Sequence, residues 1–189
     1  LTRCMETAML SVPTVTACNN NNKQVPCIAH ESIRESVNYA CDRRRRISEL
    51  EQAFHDRICF RDIIHDHDEI WDSYVRRLGP PEEYDTHRES AELHVVADRA
   101  RSFFQWIQQR AEEEVGGGTH SALLRAFLNW GQGGGVPSLM PQSLDTRTNV
   151  NGKELPVLEY FGDEAFEQYM RGDYENCELR SFVAAYPHD

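Results

Sequence analysis

An all-α fold is the class this sequence predicts, and three observations carry it. From Cys27 to Leu78 there is neither glycine nor proline, a long span free of the two strongest helix breakers. Helix-start signals recur as Ser32 with Glu35, Ser48 with Glu51 and Thr86 with Glu89, each three residues apart as in a capping box. Apolar residues recur at helical spacing, as in Phe60, Ile63, Ile64, Ile70, Trp71, Tyr74 and Leu78. The expected architecture is a long antiparallel helical hairpin with shorter helices packed on it and an extended irregular arm.

The chain has 189 residues, 40% hydrophobic and 27% charged, which suits one soluble globular domain over 1–189. It opens on Leu1, as expected of a processed or trimmed chain, and the sequence does not distinguish these. Residues 1–29 form a disulfide-prone N-terminal segment, because Cys18 and Cys27 bracket the polar loop "NNNNKQVP" that a disulfide could close. That reading implies a secreted protein or another oxidising compartment. The competing reading is buried free thiols, since Cys41 and Cys59 sit among apolar neighbours. No Cys-x-x-Cys pair exists, so a zinc knuckle is not expected.

Residues 30–130 form the helical core, with helices over 33–46 and 49–78. "GPPEEYD" at 79–85 then stops the run, and Thr86 opens a helix reaching about Val115. A shorter helix follows from Ser121 to Trp130, ended by Gly131. The arm at 131–156 is rich in Gly, Pro, Ser, Asn and Thr, with a turn expected at Asn151–Gly152. Residues 157–189 form a C-terminal helical segment. Asp163 is its N-cap and Gly172 its stop, and "NCELRSFVAAY" is a last short helix. The "RGD" at Arg171–Asp173 is therefore read as a helix cap. "GQGGGVP" at 131–137 lacks the Lys-Ser/Thr of a phosphate loop and is read as a hinge.

A formal net charge of −11 argues against nucleic acid or an anionic membrane as a partner, and no apolar run is long enough to span a bilayer. The local exception, Arg43 to Arg46, is read as a solvated collar around a helix. A surface this acidic suits a protein partner or a small ligand.

The densest chemistry is "HDHDE", residues 65–69. On a helix His65 and His67 diverge by about 200° and cannot share an ion. His67 is expected in the core. Asp62, Asp66 and Glu69 share a polar side with the spacing of a carboxylate cation site, or of a solvated acidic face. Four of the eight histidines precede an aspartate: His55–Asp56, His65–Asp66, His67–Asp68 and His188–Asp189.

An all-α chain with such doublets resembles, over residues 30–100, the HD-domain metal phosphohydrolases. The resemblance implies a divalent metal (Mn, Co, Mg or Zn) held by His30 of "AHESIRESV", His65 and Asp66 of "HDHDE", and Asp98 of "VVADRARSF", with Glu69 as the proton-transfer group. Two function classes therefore stay open. One is a non-enzymatic helical interaction or ligand-binding module, secreted and disulfide-bonded. The other is a metal-dependent HD-like phosphohydrolase acting on a phosphate ester or nucleotide.

Overall fold

A computed structural model describes residues 2–12, 15–16, 25–80, 89, 93–129, 157–161 and 163–186. The fold is helix-rich, as its class predicts. Six α-helices are described: α1 (Thr2–Ser11), α2 (Ile47–Phe54), α3 (Glu69–Leu78), α4 (Leu93–Gln108), α5 (Ser121–Asn129) and α6 (Glu164–Arg171). A two-residue parallel ladder accompanies them, β1 (Val15–Thr16) against β2 (Val25–Pro26), with Val15 opposite Val25.

The predicted helix over 49–78 is two helices with a loop between. α2 buries Ile47, Leu50 and Phe54, then stops at His55, whose φ of 40° leaves the right-handed region. The chain turns inward and pairs Cys59 in parallel with Ile28. The Cys59 N–H donates to the Cys27 carbonyl and the Ala29 N–H to the Cys59 carbonyl, both at 2.8 Å. This brings Ile58 and Phe60 beneath α2, completing one core with Ile47, Leu50 and Phe54. Each such side chain contributes roughly 1.5–3 kcal/mol of burial, which outweighs the helical continuity given up.

α3 begins only at Asp68, whose carboxylate accepts from the Trp71 N–H at 3.0 Å. Trp71 and Tyr74 pack on Val37 in a second core. Gly79, at φ 84° and ψ 179°, closes α3 with its N–H on the Val75 carbonyl. Since α2 and α3 are separate, the single long partner that the helical hairpin required is absent.

The span predicted as helix 33–46 contains two 3-10 turns, Glu31–Ile33 and Ala40–Asp42, joined by irregular backbone. Ser32 is not a cap there; its N–H donates to His30 Nδ1 at 3.3 Å. The start predicted at Thr86 lies outside the described residues. α4 ends at Gln108, short of Val115, and packs chiefly on α5 and on the turn Glu31–Ile33. Val96, Leu123 and Ala126 form their core, with Ile33 against it.

α5 matches its predicted position. α6 matches in its caps: Asp163 accepts from the Ala165 and Phe166 N–H groups, and the Gly172 N–H bonds to the Gln168 and Tyr169 carbonyls. Met170 anchors α6 against Ala100, Phe104, Phe127 and Leu128. The short helix expected in 176–186 does not form. There Arg180 lies over the Tyr174 ring at 3.9 Å. It donates to the carbonyls of Tyr169, Met170, Gly172 and Asp173, neutralising the C-terminal end of α6. The arm at 131–156 lies outside the described residues.

Two further expectations are corrected. The arginine run is not a collar, because Arg44 is buried. Its guanidinium donates to the carbonyls of His65, Asp66 and His67, at 3.0, 3.1 and 2.6 Å. The Cys18–Cys27 bridge is not formed, because Cys27 is a free thiol, as are Cys4, Cys41 and Cys177. Cys59 is disulfide-bonded. No described helix is long and apolar enough to cross a membrane.

Candidate functional site

"HDHDE" is a loop that ends in the N-cap and first residue of α3, Asp68 and Glu69, and most of its side chains have a local task. His67, expected in the core, is 53% exposed and pairs with Glu69 at 2.7 Å. Glu69 also meets Arg76 at 3.3 Å, and these two partners hold its carboxyl below the usual range. Asp66 accepts from the Ser48 N–H at 2.8 Å, capping α2, which holds its carboxyl low as well. The His65 and His67 rings stand 5.9 Å apart, a proximity that a helix would have forbidden.

Asp68, absent from the predicted site, is the centre of the region. It is buried, receives both Arg34 guanidinium nitrogens at 2.6 and 2.9 Å, and accepts from the Arg44 and Trp71 N–H groups.

The other predicted ligands are elsewhere. Asp98 pairs with Arg101 on α4. His30 lies against Trp106 and Phe103, with ring centroids at 4.8 and 5.5 Å, and burial lowers its pKa. Among the described residues, no three His, Cys, Asp or Glu side chains gather in a way that could hold a metal ion.

What the fold does gather is a set that the sequence did not single out. Thr119 and His120 lead into α5, following Gly116–Gly118. The Thr119 hydroxyl donates to the Ile33 carbonyl at 2.6 Å, and the Cys4 thiol donates to the Thr119 carbonyl at 3.2 Å. These bonds tie α1, the 31–33 turn and the start of α5 together. Glu35 completes the junction, its Oε1 accepting from the Ser36 N–H at 2.7 Å and the Leu123 N–H at 3.2 Å.

The electrostatics of this junction separate two proton carriers. Burial is the main reason the His120 pKa falls to about 4, with nearby positive charge, Arg3 included, adding to it. The imidazole is therefore neutral near pH 7. Burial pushes the Glu35 carboxyl up, and the Asp42 carboxylate adds to this, against the lowering effect of its backbone donors. Paired groups whose environments displace their pKa values in opposite directions suit acid–base chemistry. Exposed Arg3 supplies a fixed positive charge beside His120 and beside the half-buried Cys4 thiol, which burial raises.

A cleft of about 310 Å³ opens beside the junction, bounded by Cys4, Ile33, Arg34 and Gly118 on that side. Met5, Ala8, Ile28, Phe60, Phe103 and Trp106 form its apolar wall. Five arginines line it (Arg34, Arg43, Arg44, Arg45 and Arg110) against three glutamates, Glu31, Glu112 and Glu114. Four of these cations are already engaged by carboxylates: Arg34 by Glu31 and Asp68, Arg44 by Glu31, Arg45 by Glu49 and Arg110 by Glu112.

The signal for His120 was a histidine placed after a glycine run and at a helix start. That signal is too common to act on without knowing that Arg3 and Glu35 join it.

No family model matches the chain, and no solved structure matches it. It is 28% identical over 159 residues to phosphoglycerate mutase-like protein 1 of Arabidopsis thaliana, a match covering 84% of this chain and 42% of that protein. The chain thus spans less than half the length of this curated relative.

Proposed function

We propose that this chain carries part of a site for phosphate esters, centred on Arg3, Glu35 and His120, and that the protein cleaves or transfers a phosphoryl group there. The observation that carries this reading is the convergence on the start of α5 of His120, neutral near pH 7, of Arg3, which helps to lower its pKa, and of Glu35, whose carboxyl accepts from the Leu123 N–H and is raised by burial. The relative's printed name, phosphoglycerate mutase-like, supports the same substrate chemistry.

In this reading Arg3 neutralises charge on the phosphoryl oxygens, and the His120 imidazole donates a hydrogen bond to one of them. Glu35 delivers its proton to the leaving oxygen as the P–O bond breaks. The acceptor is water in hydrolysis or a second hydroxyl in transfer. The proposal keeps the phosphate-ester chemistry implied by the HD-like resemblance and places it on other residues. The expected metal set of His30, His65, Asp66 and Asp98, with Glu69, has no gathered geometry to support it.

The test is release of inorganic phosphate from p-nitrophenyl phosphate and 3-phosphoglycerate by the full-length protein. His120→Ala, Glu35→Gln and Arg3→Ala should each lower turnover by about a hundredfold. Unaltered turnover in all three would move the chemistry elsewhere, and no turnover in the wild type would end the reading. The interaction-module expectation retains one support of its own, the exposed apolar side chains Phe161, Leu179 and Val183. A protein partner covering them should slow their chemical labelling on binding; unchanged labelling in a confirmed complex would exclude this surface.

A further inference from the structure

Glu35 sits on a stretch without regular secondary structure, so no helix or sheet ladder fixes its position. Its backbone is fixed from outside. Glu89 is fully buried, and its carboxylate receives the Arg99 guanidinium through two bonds, Nε to Oε1 at 3.1 Å and Nη2 to Oε2 at 2.8 Å. The remaining guanidinium nitrogen of Arg99 reaches back before Glu35, donating to the Arg34 carbonyl at 3.1 Å and the Ser32 carbonyl at 3.4 Å. Glu89 grips the chain after Glu35. Its Oε2 accepts from the Val37 N–H at 2.8 Å, and its own N–H donates to the Val37 carbonyl at 3.2 Å. One bidentate pair therefore brackets Glu35 on both sides and ties it to α4, against which α5 is packed directly after His120.

We propose that Arg99, held by Glu89, is a positioning residue that sets Glu35 at the distance from His120 and Arg3 needed to protonate the leaving group of a phosphate ester. The inference rests on the function proposed above. Neither residue reaches the cleft, and their action runs wholly through the 32–37 backbone. The fork geometry is essential, because lysine keeps the charge but cannot hold the carboxylate and two carbonyls together.

The groups facing Glu35 are Asp42 and the Ser36 N–H from its own stretch, Cys4 from α1, and the N–H groups of Ala122 and Leu123 from α5, whose start follows His120; Arg3 and Asp42 in turn act on His120. Since burial is the main cause of the raised Glu35 pKa, loosening the clamp admits water and moves its titration down towards the ordinary value.

The experiment compares wild type with Arg99→Lys and Glu89→Gln in the full-length protein. The Glu35 carboxyl is titrated by carbon-13 NMR, assigned with Glu35→Gln, and kcat and KM for p-nitrophenyl phosphate are followed against pH. Both variants should lower the Glu35 midpoint, displace the corresponding limb of the pH profile, and reduce kcat about tenfold or more while KM stays within about twofold. Met170→Ala, far along α6, serves as the control that loses stability without moving either titration.

If the variants lose stability and leave the Glu35 midpoint and pH profile unchanged, the clamp is purely structural and the proposal is overturned. Where Arg99→Lys does not fold, Glu89→Gln, which keeps the side-chain shape, decides alone. Absence of phosphate release by the wild type refutes the phosphate-ester reading, and the NMR midpoint still decides whether Arg99 sets the environment of Glu35.

Discussion

Replacing Asp68 by asparagine tests the account of "HDHDE" most directly. Asp68 is 3% exposed and meets Arg34, also buried, through two bonds at 2.6 and 2.9 Å. Burial alone would raise its pKa, but Arg34, with the Trp71 and Arg44 N–H groups, holds the carboxyl below the usual range. Asparagine keeps the volume and the oxygen that caps α3, so the loss falls on the ion pair and on the bond that the second oxygen accepts from the Arg44 N–H.

Removing one partner of a buried pair costs about 3–5 kcal/mol, because the other charge is left without compensation. Glu31 still contacts Arg34 at 2.7 Å, so the lower end, about 3 kcal/mol, is expected. Asp68→Ala also loses the cap and should cost about 1 kcal/mol more. With an m-value of roughly 2 kcal/mol/M, the asparagine variant should shift the urea midpoint by about 1.5 M at pH 7, followed by tryptophan fluorescence.

The sign in acid follows from the depressed folded pKa. The contribution of the carboxylate is present above its unfolded value, near 3.8, and is lost as pH falls through the folded value. The gap between wild type and variant should therefore shrink below about pH 4. A midpoint within about 0.3 M of wild type at pH 7 would refute the claim that this pair holds the loop to the core.

Three other outcomes follow from the same geometry. Gly79→Ala should cost about 2 kcal/mol, since φ 84° with ψ 179° is closed to residues bearing a Cβ; an unchanged melting temperature would contradict that backbone. His67→Ala should change stability by no more than about 0.5 kcal/mol, because the ring is mostly exposed. A loss of 2 kcal/mol or more in urea would restore His67 to the core.

His120, lowered to about 4 from 6.5, binds its proton more weakly folded than unfolded. Its contribution is complete above pH 6.5 and is lost as pH falls towards 4. After allowance for solvent screening this is about 1 kcal/mol, which His120→Gln should abolish in stability measured across that window.

The parts legible in the sequence are those whose signals are local. α6 was readable because its cap and its stop, Asp163 and Gly172, act within a few residues. The break between α2 and α3 was not. Both helices carry genuine helical stripes, Ile47–Leu50–Phe54 and Trp71–Tyr74, and no glycine or proline separates them. What divides them is distant. Cys27 and Ala29 draw Cys59 into a parallel bridge, and Arg44 collects three consecutive carbonyls from 65–67. Even the apparent capping box at Ser48 had its partner far along the chain, in Asp66.

The same physics explains why the candidate site was missed. Arg3, Glu35 and His120 come from three separate elements, and none is unusual among its sequence neighbours. Glu35 was read as the second half of a capping box for the helix after Ser32. It instead caps α5 from outside, 88 positions away. Its pKa is raised because that position is buried, so the misread cap and the proposed proton donor are one residue in one place. Net charge misled in a parallel way. A total of −11 describes the far field, whereas the cleft wall carries five arginines, four of them paired with carboxylates. Within a Debye length of about 10 Å the nearby charges dominate, so what an entering ligand meets is set by how those arginines are paired and not by the total charge.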